Sequence, residues 1–263
     1  MKIKSLKAIP IHYTLDEIFR AGTYQVKNRY TIVVVAEFEN GVVAETYGGD
    51  EDMVQERVVG LINKEFQPYL VGADVDCRED IAKIHDTLMN LPIDLGYRAL
   101  VDLDMGRHGI QQQALSLVDD CLWDGLGKIK NLPVHELLGG AKRMQMPVIS
   151  IGGYYHENDP VGTADEAREL HEVYGVAGLK MKVGRIAYEK DVERIEAAWN
   201  AAGRDFLIAV DVNQGWTVAQ AKEFCKKAEG LGLAWLEEPV KWYDCLSGLA
   251  EVTKSTSMVI VAG

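Results

Sequence analysis

The sequence predicts an α+β domain followed by a (β/α) barrel of the TIM type, and three observations support that prediction. Over residues 1–140, strand-like runs come first and helical runs follow, as in a self-contained α+β domain. Over residues 141–263 the pattern changes: apolar runs begin near residues 147, 178, 207, 233 and 258, with a helical stretch between each and the next. A βα repeat of this regularity builds a parallel sheet through right-handed crossovers. Reactive polar residues close three of these runs, and chemistry in such barrels gathers at the C-terminal strand ends.

Taken in order, residues 2–12 and 30–38 are β-rich, and Glu39-Asn40-Gly41 turns the chain into residues 42–47, giving an antiparallel meander. Helical patterns follow at about 51–66, 78–89 and 109–127. The last carries Ala114, Leu115, Leu117, Val118, Cys121, Leu122 and Leu126 at helical spacing. Residues 133–140 close the first domain with a short helix and a double-glycine stop. The barrel helices are expected at about 163–174, 188–201, 217–230 and 244–254. A doubly wound sheet is the structural alternative, but it usually opens with a glycine-rich phosphate loop. Gly152-Gly153-Tyr154-Tyr155 is not that pattern.

Composition narrows the function. With 48% hydrophobic and 26% charged residues, the chain is an ordinary globular protein. A formal net charge of −12 argues against a nucleic-acid or anionic-membrane surface. It leaves an anionic substrate open, because a metal or a pair of lysines reverses the field locally. The first residues hold no apolar signal region, and no later run approaches the ~18 apolar residues of a membrane span. Cys77, Cys121, Cys225 and Cys245 lie far apart and read as reduced thiols, so a cytoplasmic protein is expected.

Three motifs carry the chemistry. Side chains at i and i+2 on a strand point the same way, so Lys180 and Lys182 share the barrel interior while Met181 faces the surrounding layer. Two adjacent ammonium groups and partial burial both lower a lysine pKa, which suits a general base. Alone, Lys-x-Lys is more often a pair of strand-end lysines reaching solvent. Asp211 and Asn213 repeat the spacing on the next strand and offer hard oxygen donors suited to Mg²⁺ rather than zinc. Alone, they are as readily a turn cap. Glu237 and Glu238 are neighbours, so at most one faces the interior; Glu237 shares the parity of Trp235, and Pro239 stops the strand. A buried carboxylate needs a counter-charge, which a metal shared with Asp211 would supply. All three motifs fall at the same end of successive strands, and that coincidence outweighs each ordinary explanation.

Lys-x-Lys, Asp-x-Asn and Trp235-Leu236-Glu237-Glu238-Pro239, in this order, resemble the enolase superfamily, specifically its mandelate racemase/muconate lactonizing enzyme branch. Asp119-Asp120-Cys121-Leu122-Trp123-Asp124-Gly125-Leu126-Gly127-Lys128, followed by Leu132-Pro133 and Leu137-Leu138-Gly139-Gly140, is similar to the domain-junction signature of that branch. The resemblance extends over essentially the whole chain. It implies a capping domain over the barrel, Lys182 as the base for a proton α to a carboxylate, and Lys180 tuning it and contacting the substrate carboxylate. Asp211 and Glu237 would be Mg²⁺ ligands, with Asn213 behind them. The implied reaction runs through an enediolate, as in an acid-sugar dehydratase or racemase. The implied partners are a small carboxylate such as an acid sugar and further copies of the chain in a homo-oligomer. Loops at about 15–29 and 47–53 would set specificity, with Arg20, Tyr24, Tyr47 and Met53 as candidate contacts. Tyr154 and Tyr155, beyond the first barrel strand, are better placed, whereas His156 lies too far into the loop.

The resemblance also implies a third acidic ligand at the end of the fifth barrel strand and a further acid/base group on a later strand, both beyond Gly263. A complete barrel takes ~250 residues, whereas residues 147–263 supply about five of eight strands and leave two apolar edges open. The sequence is therefore expected to be part of a longer polypeptide. Two alternatives accompany the dehydratase or racemase reading. A cycloisomerase or dipeptide epimerase would more usually carry Glu-Gln-Pro than the Glu237-Glu238-Pro239 found here. A catalytically inert chain would bind Mg²⁺ only weakly through two carboxylates.

Overall fold

The structure is a computed structural model that describes residues 1–49, 54–92, 109–241 and 246–262; Met53, Cys245 and Gly263 lie outside these. The chain divides into two compact units, Met1–Leu15 with Asn28–Met144 and Asp16–Lys27 with Gln145–Gly263.

The first unit carries a sheet of order β1-β2-β3, with β1 at Ile3–Arg20, β2 at Gln25–Phe38 and β3 at Val43–Gly48. β2 and β3 pair antiparallel, Val35 opposite Glu45, about the expected turn at Gly41, whose φ of 83° suits glycine. Residues 15–29, expected as a loop, instead extend β1 and β2 into a long hairpin. Its turn is closed by the Ala21 N–H on the Tyr24 C=O (3.0 Å), and the Thr14 hydroxyl donates to Asn28 Oδ1 across the strands (2.9 Å). Backbone pairing holds this segment; its polar residues hide the strand period. The hairpin tip, Asp16–Lys27, groups with the second unit and not with the first, where the sequence placed it.

Helix α1 (Gln55–Gly60) runs through a π-helical turn (Leu61–Phe66) into α2 (Gln67–Leu70), followed by α3 (Arg78–Met89), α4 (Gln111–Lys130) and α5 (Val134–Leu137). The stripe from Ala114 to Leu126 predicted on α4 is buried against β2 and β3 residues such as Val34, Phe38 and Ala44. Gly125 lets the helix approach this closely, since a Cβ there would meet the Phe38 ring at 2.5 Å. Gly125→Ala is expected to destabilise the protein by ~1–3 kcal/mol through overpacking. An unchanged urea midpoint would show that the helix can step back. Asn131, left-handed at φ 53°, ends α4, with the Leu132 N–H on the Gly127 C=O (2.9 Å). Cys77, Cys121 and Cys225 are free thiols, and burial pushes Cys121 up to about 12.

The second unit alternates β4 (Ile149–Gly152), α6 (Val161–Glu172), β5 (Gly178–Lys182), α7 (Tyr188–Ala202), β6 (Leu207–Asp211), α8 (Val218–Ala228), β7 (Leu236–Glu237), α9 (Leu246–Lys254) and β8 (Ile260–Val261). The sheet order is β4-β5-β6-β7-β8 and every pair is parallel. These are five strands in the order a (β/α) barrel requires. Alternation divides each strand. Leu179, Met181, Val183, Ile208, Val210 and Val212 form one buried cluster with Ile195, Trp199 and Phe224 of the helices. Lys180, Lys182, Ala209 and Asp211 take the opposite parity. Thr217 caps α8 reciprocally with Gln220, the capping-box arrangement. No helix among the described residues is long and apolar enough to cross a membrane.

Candidate active site

Sheet register assembles the site. Lys182 is the ladder partner of Asp211, and Asp211 is the partner of Glu237, so three ionisable side chains from adjacent strands lie side by side on one face. Lys182 and Asp211 are buried. Lys182 Nζ donates to Asp211 Oδ2 (2.8 Å) and Asn213 Oδ1 (3.0 Å). Lys180, two residues back on β5, reaches over to bridge Asp211 Oδ2 (3.1 Å) and Glu237 Oε1 (2.5 Å). The shared face expected of the two lysines is present.

Their expected electrostatics are corrected for Lys180. Burial acts to lower its pKa, but hydrogen bonds and charges from Glu237 and Asp211 outweigh it and hold Lys180 above its ordinary value. Asp211 Oδ2 is shared by the two ammonium groups, so mutual repulsion does not decide the outcome. For Asp211, burial pushes up, yet the Lys182 hydrogen bond and charge, the Asn213 N–H and the Lys180 charge hold the carboxyl below its ordinary value.

The turn after β6 is specialised. Asn213 and Gln214 are left-handed (φ 47° and 64°), as is Glu238 (φ 43°) after β7. For non-glycine residues such backbone persists only where surroundings fix it. Here the Asn213 N–H donates to Asp211 Oδ1 (2.8 Å), and the Gln214 N–H donates to the Glu238 C=O (2.8 Å). Burial, reinforced by the Asp211 charge, pushes the Glu238 carboxyl up.

Of the three tyrosines expected to bind substrate, Tyr24 meets Lys182, whose Nζ lies 5.7 Å from its ring centroid, within cation–π range. Next to it, the Thr23 hydroxyl donates to the Asn213 C=O (3.3 Å). Tyr154 stacks on Phe19 (5.1 Å) and lines a cavity of about 530 Å³ with residues 16–20 and 155–158, apart from the lysines and carboxylates. Tyr47 lies on β3 of the first unit with its side chain exposed. Arg20 donates to the Ile18 C=O, and His156 pairs with Glu166 (3.0 Å). Sequence reasoning missed Trp235, whose indole N–H donates to Glu237 Oε2 (2.9 Å) and leaves the other oxygen for Lys180. It also missed Arg194, a buried guanidinium on α7. The signal was present, since Asp191, Arg194, Ile195, Ala198, Trp199 and Ala202 form the buried stripe of that helix, and a charge there is anomalous.

Asp211 and Glu237 fit a hard divalent cation by donor type and by convergence, because their oxygens already share one positive group, the Lys180 ammonium. No cluster of three or more His, Cys, Asp or Glu side chains among the described residues is arranged to hold a metal.

Without metal, these shifts set a pH dependence. Asp211, depressed in the folded state, contributes stability that is present above its ordinary value of 3.8 and is lost as pH falls through the folded value. Lys180, raised, contributes stability that is present below 10.5 and is lost as pH rises through its folded value. Urea midpoints measured in a chelator are expected to hold between these limits and fall beyond them. A midpoint insensitive to acid would refute the ion-pair contribution of Asp211.

The chain is similar to known proteins in both of its domains. Residues 18–139 match the family model of the mandelate racemase/muconate lactonizing enzyme N-terminal domain, and residues 162–263 match that of the enolase C-terminal domain-like family. Arabinonate dehydratase of Saccharolobus solfataricus is 37% identical over 57% of this chain and 40% of its own length. D-galactarolactone cycloisomerase of Agrobacterium fabrum is 30% identical over 91% of this chain and 59% of its own. The chain thus spans well under two thirds of these curated relatives. Two crystal structures of a mandelate racemase/muconate lactonizing enzyme from a marine actinobacterium, one in complex with magnesium, superpose over 100% of this chain with a TM-score of 0.81. Their identities are 32% and 31%, and the chain covers 66% and 68% of them. On both domains, on sequence and on fold, this chain belongs to the mandelate racemase/muconate lactonizing enzyme branch of the enolase superfamily.

Proposed function

We propose that the protein catalyses Mg²⁺-dependent abstraction of the proton α to a carboxylate in a small acid such as an acid sugar, passing through an enediolate, as a dehydratase or racemase. One observation carries the reading: register places Lys182, Asp211 and Glu237 side by side, with Lys180 bridging the carboxylates. An α-proton of a carboxylate is weakly acidic, so positive charge must meet the charge that develops when it leaves.

Lys182 is the base, its Nζ held in place by the Asp211 and Asn213 acceptors. Lys180, held above its ordinary pKa, stays cationic and supplies charge to the substrate carboxylate rather than taking a proton. Asp211 and Glu237 would hold the metal, Asn213 keeps Asp211 oriented, and Trp235 keeps Glu237 oriented. A bound Mg²⁺ would supply Lewis-acid charge to the substrate carboxylate. Lys180 must release the carboxylate oxygens it now bridges, which frees its ammonium for substrate. Tyr24, on the face of Lys182, is a substrate contact in this reading; Tyr154 and Tyr47 belong to the specificity elements.

The magnesium-bound neighbour and the acid-sugar relative support this reading. The cycloisomerase relative, matching over 91% of the chain, favours a second reading in which the same proton abstraction serves cycloisomerisation. A panel of acid sugars incubated with protein and Mg²⁺ in D₂O separates them. Dehydration or Cα deuteration of an open-chain acid supports the first, and turnover restricted to lactones supports the second. No exchange with any acid, together with no turnover of any lactone, would refute both.

A further inference from the structure

Lys182 is held from behind as well as in front. Its peptide N–H donates to the Gly153 C=O (3.1 Å), where β4 ends. The next ladder donor from that side is lost, because the Tyr155 N–H is turned to the Arg20 C=O (2.9 Å). Arg194 fills the gap. Its Nη1 donates to the Lys182 C=O (2.9 Å), and its Nη2 donates to the carbonyls of Gly153 (2.8 Å) and Tyr154 (3.1 Å). Nε donates to Asp159 Oδ2 (2.8 Å) and Nη1 also to Asp191 Oδ1 (3.2 Å). The guanidinium lies 4.1 Å from the Tyr155 ring centroid. Asp191 is itself fixed by the Tyr155 hydroxyl (2.9 Å) and the Gly184 N–H (2.8 Å). A rigid planar fork with five N–H groups can serve several carbonyls and carboxylates at once, which an ammonium cannot do.

We propose that Arg194 is the positioning residue for Lys182: it replaces the missing ladder donor at the end of β5 and so fixes where the Lys182 ammonium sits. Asp159, Asp191 and Tyr155 hold Arg194 in that place. The catalytic consequence rests on Lys182 being the base; the positional claim does not.

The test is acylation of individual lysines by acetic anhydride on the folded protein, read peptide by peptide by mass spectrometry. In Arg194→Met, acylation of Lys182 is expected to accelerate about tenfold or more, the scale of one lost hydrogen bond to a charged group. Exposed Lys64 and Lys254 are expected to keep their rates, and Arg194→Lys to restore part of the protection. Should Arg194→Met not fold, Asp159→Asn leaves the guanidinium in place but loosens it, and a smaller acceleration confined to the same site is expected. An unchanged Lys182 rate in whichever variant folds would overturn the proposal, as would equal acceleration at all lysines, which marks general loosening. In α-proton exchange, kcat is expected to fall by on the order of 100-fold with little change in KM, as for a base displaced by ~1 Å. If the unmodified protein exchanges no acid, the functional reading fails while the acylation result still judges Arg194.

Discussion

Lys182→Ala is expected to abolish α-proton exchange while leaving the fold intact. A positioned general base contributes roughly 10²–10⁴-fold, and among the described residues no other amine has Asp211, Asn213 and Tyr24 around one Nζ. The fold should survive because Asp211 keeps the Lys180 ammonium, the Asn213 N–H and the Asn213 side-chain amide as donors. The carboxylate is therefore not left bare, which is the circumstance that makes truncation of a buried pair severe. Deuterium incorporation at Cα, followed by NMR alongside far-UV circular dichroism, provides the measurement. A folded variant that exchanges within threefold of the unmodified protein would reject Lys182 as the base, with Lys180 then the remaining amine on that face. Loss of the fold would contradict the compensation just described.

How legible this site was depended on which forces fixed each part. The alternation of Lys180, Met181 and Lys182 read correctly because strand parity is a local property, and Met181 is buried among helix residues. The βα order of the second unit was equally local, set by apolar runs punctuated by helices. Two features were not legible. The polar stretch at 15–29 gave no period, since a hairpin arm held by backbone pairing needs none. The Lys180 pKa was read in the wrong direction because it depends on Glu237, which lies 57 positions away and is brought near only by register across β5, β6 and β7. Arg194 lies between these cases. Its place on an apolar helix stripe was visible, but its acceptors are carbonyls at the ends of two strands, and sequence does not reveal where a ladder runs out of donors.

The second large effect is expected from Asp211→Asn, which keeps the shape of the side chain and removes its charge. Asp211 is the carboxylate common to both lysines, at 2.8 Å from Lys182 and 3.1 Å from Lys180, and it is 1% exposed. Breaking a buried ion pair by neutralising one partner costs about 3–5 kcal/mol, because the other charge stays desolvated. Lys180 retains Glu237, so the cost falls chiefly on Lys182, left with neutral acceptors alone. Glu237→Gln should cost less, since that carboxylate is 23% exposed and water can screen the change. Metal binding separates the roles further. With Asp211 neutral, one carboxylate remains of the two that converge, and Mg²⁺ binding by calorimetry is expected to vanish for Asp211→Asn while the apo protein still melts cooperatively. The acid loss of stability assigned to Asp211 should vanish with it, because an amide at position 211 does not titrate. An Asp211→Asn variant with unaltered urea midpoint, acid limb and Mg²⁺ isotherm would show that the carboxylate neither compensates the lysines nor holds the ion. A variant that loses only the isotherm would keep Asp211 as a ligand and remove its assigned part in compensating Lys182, since Glu237 pairs with Lys180.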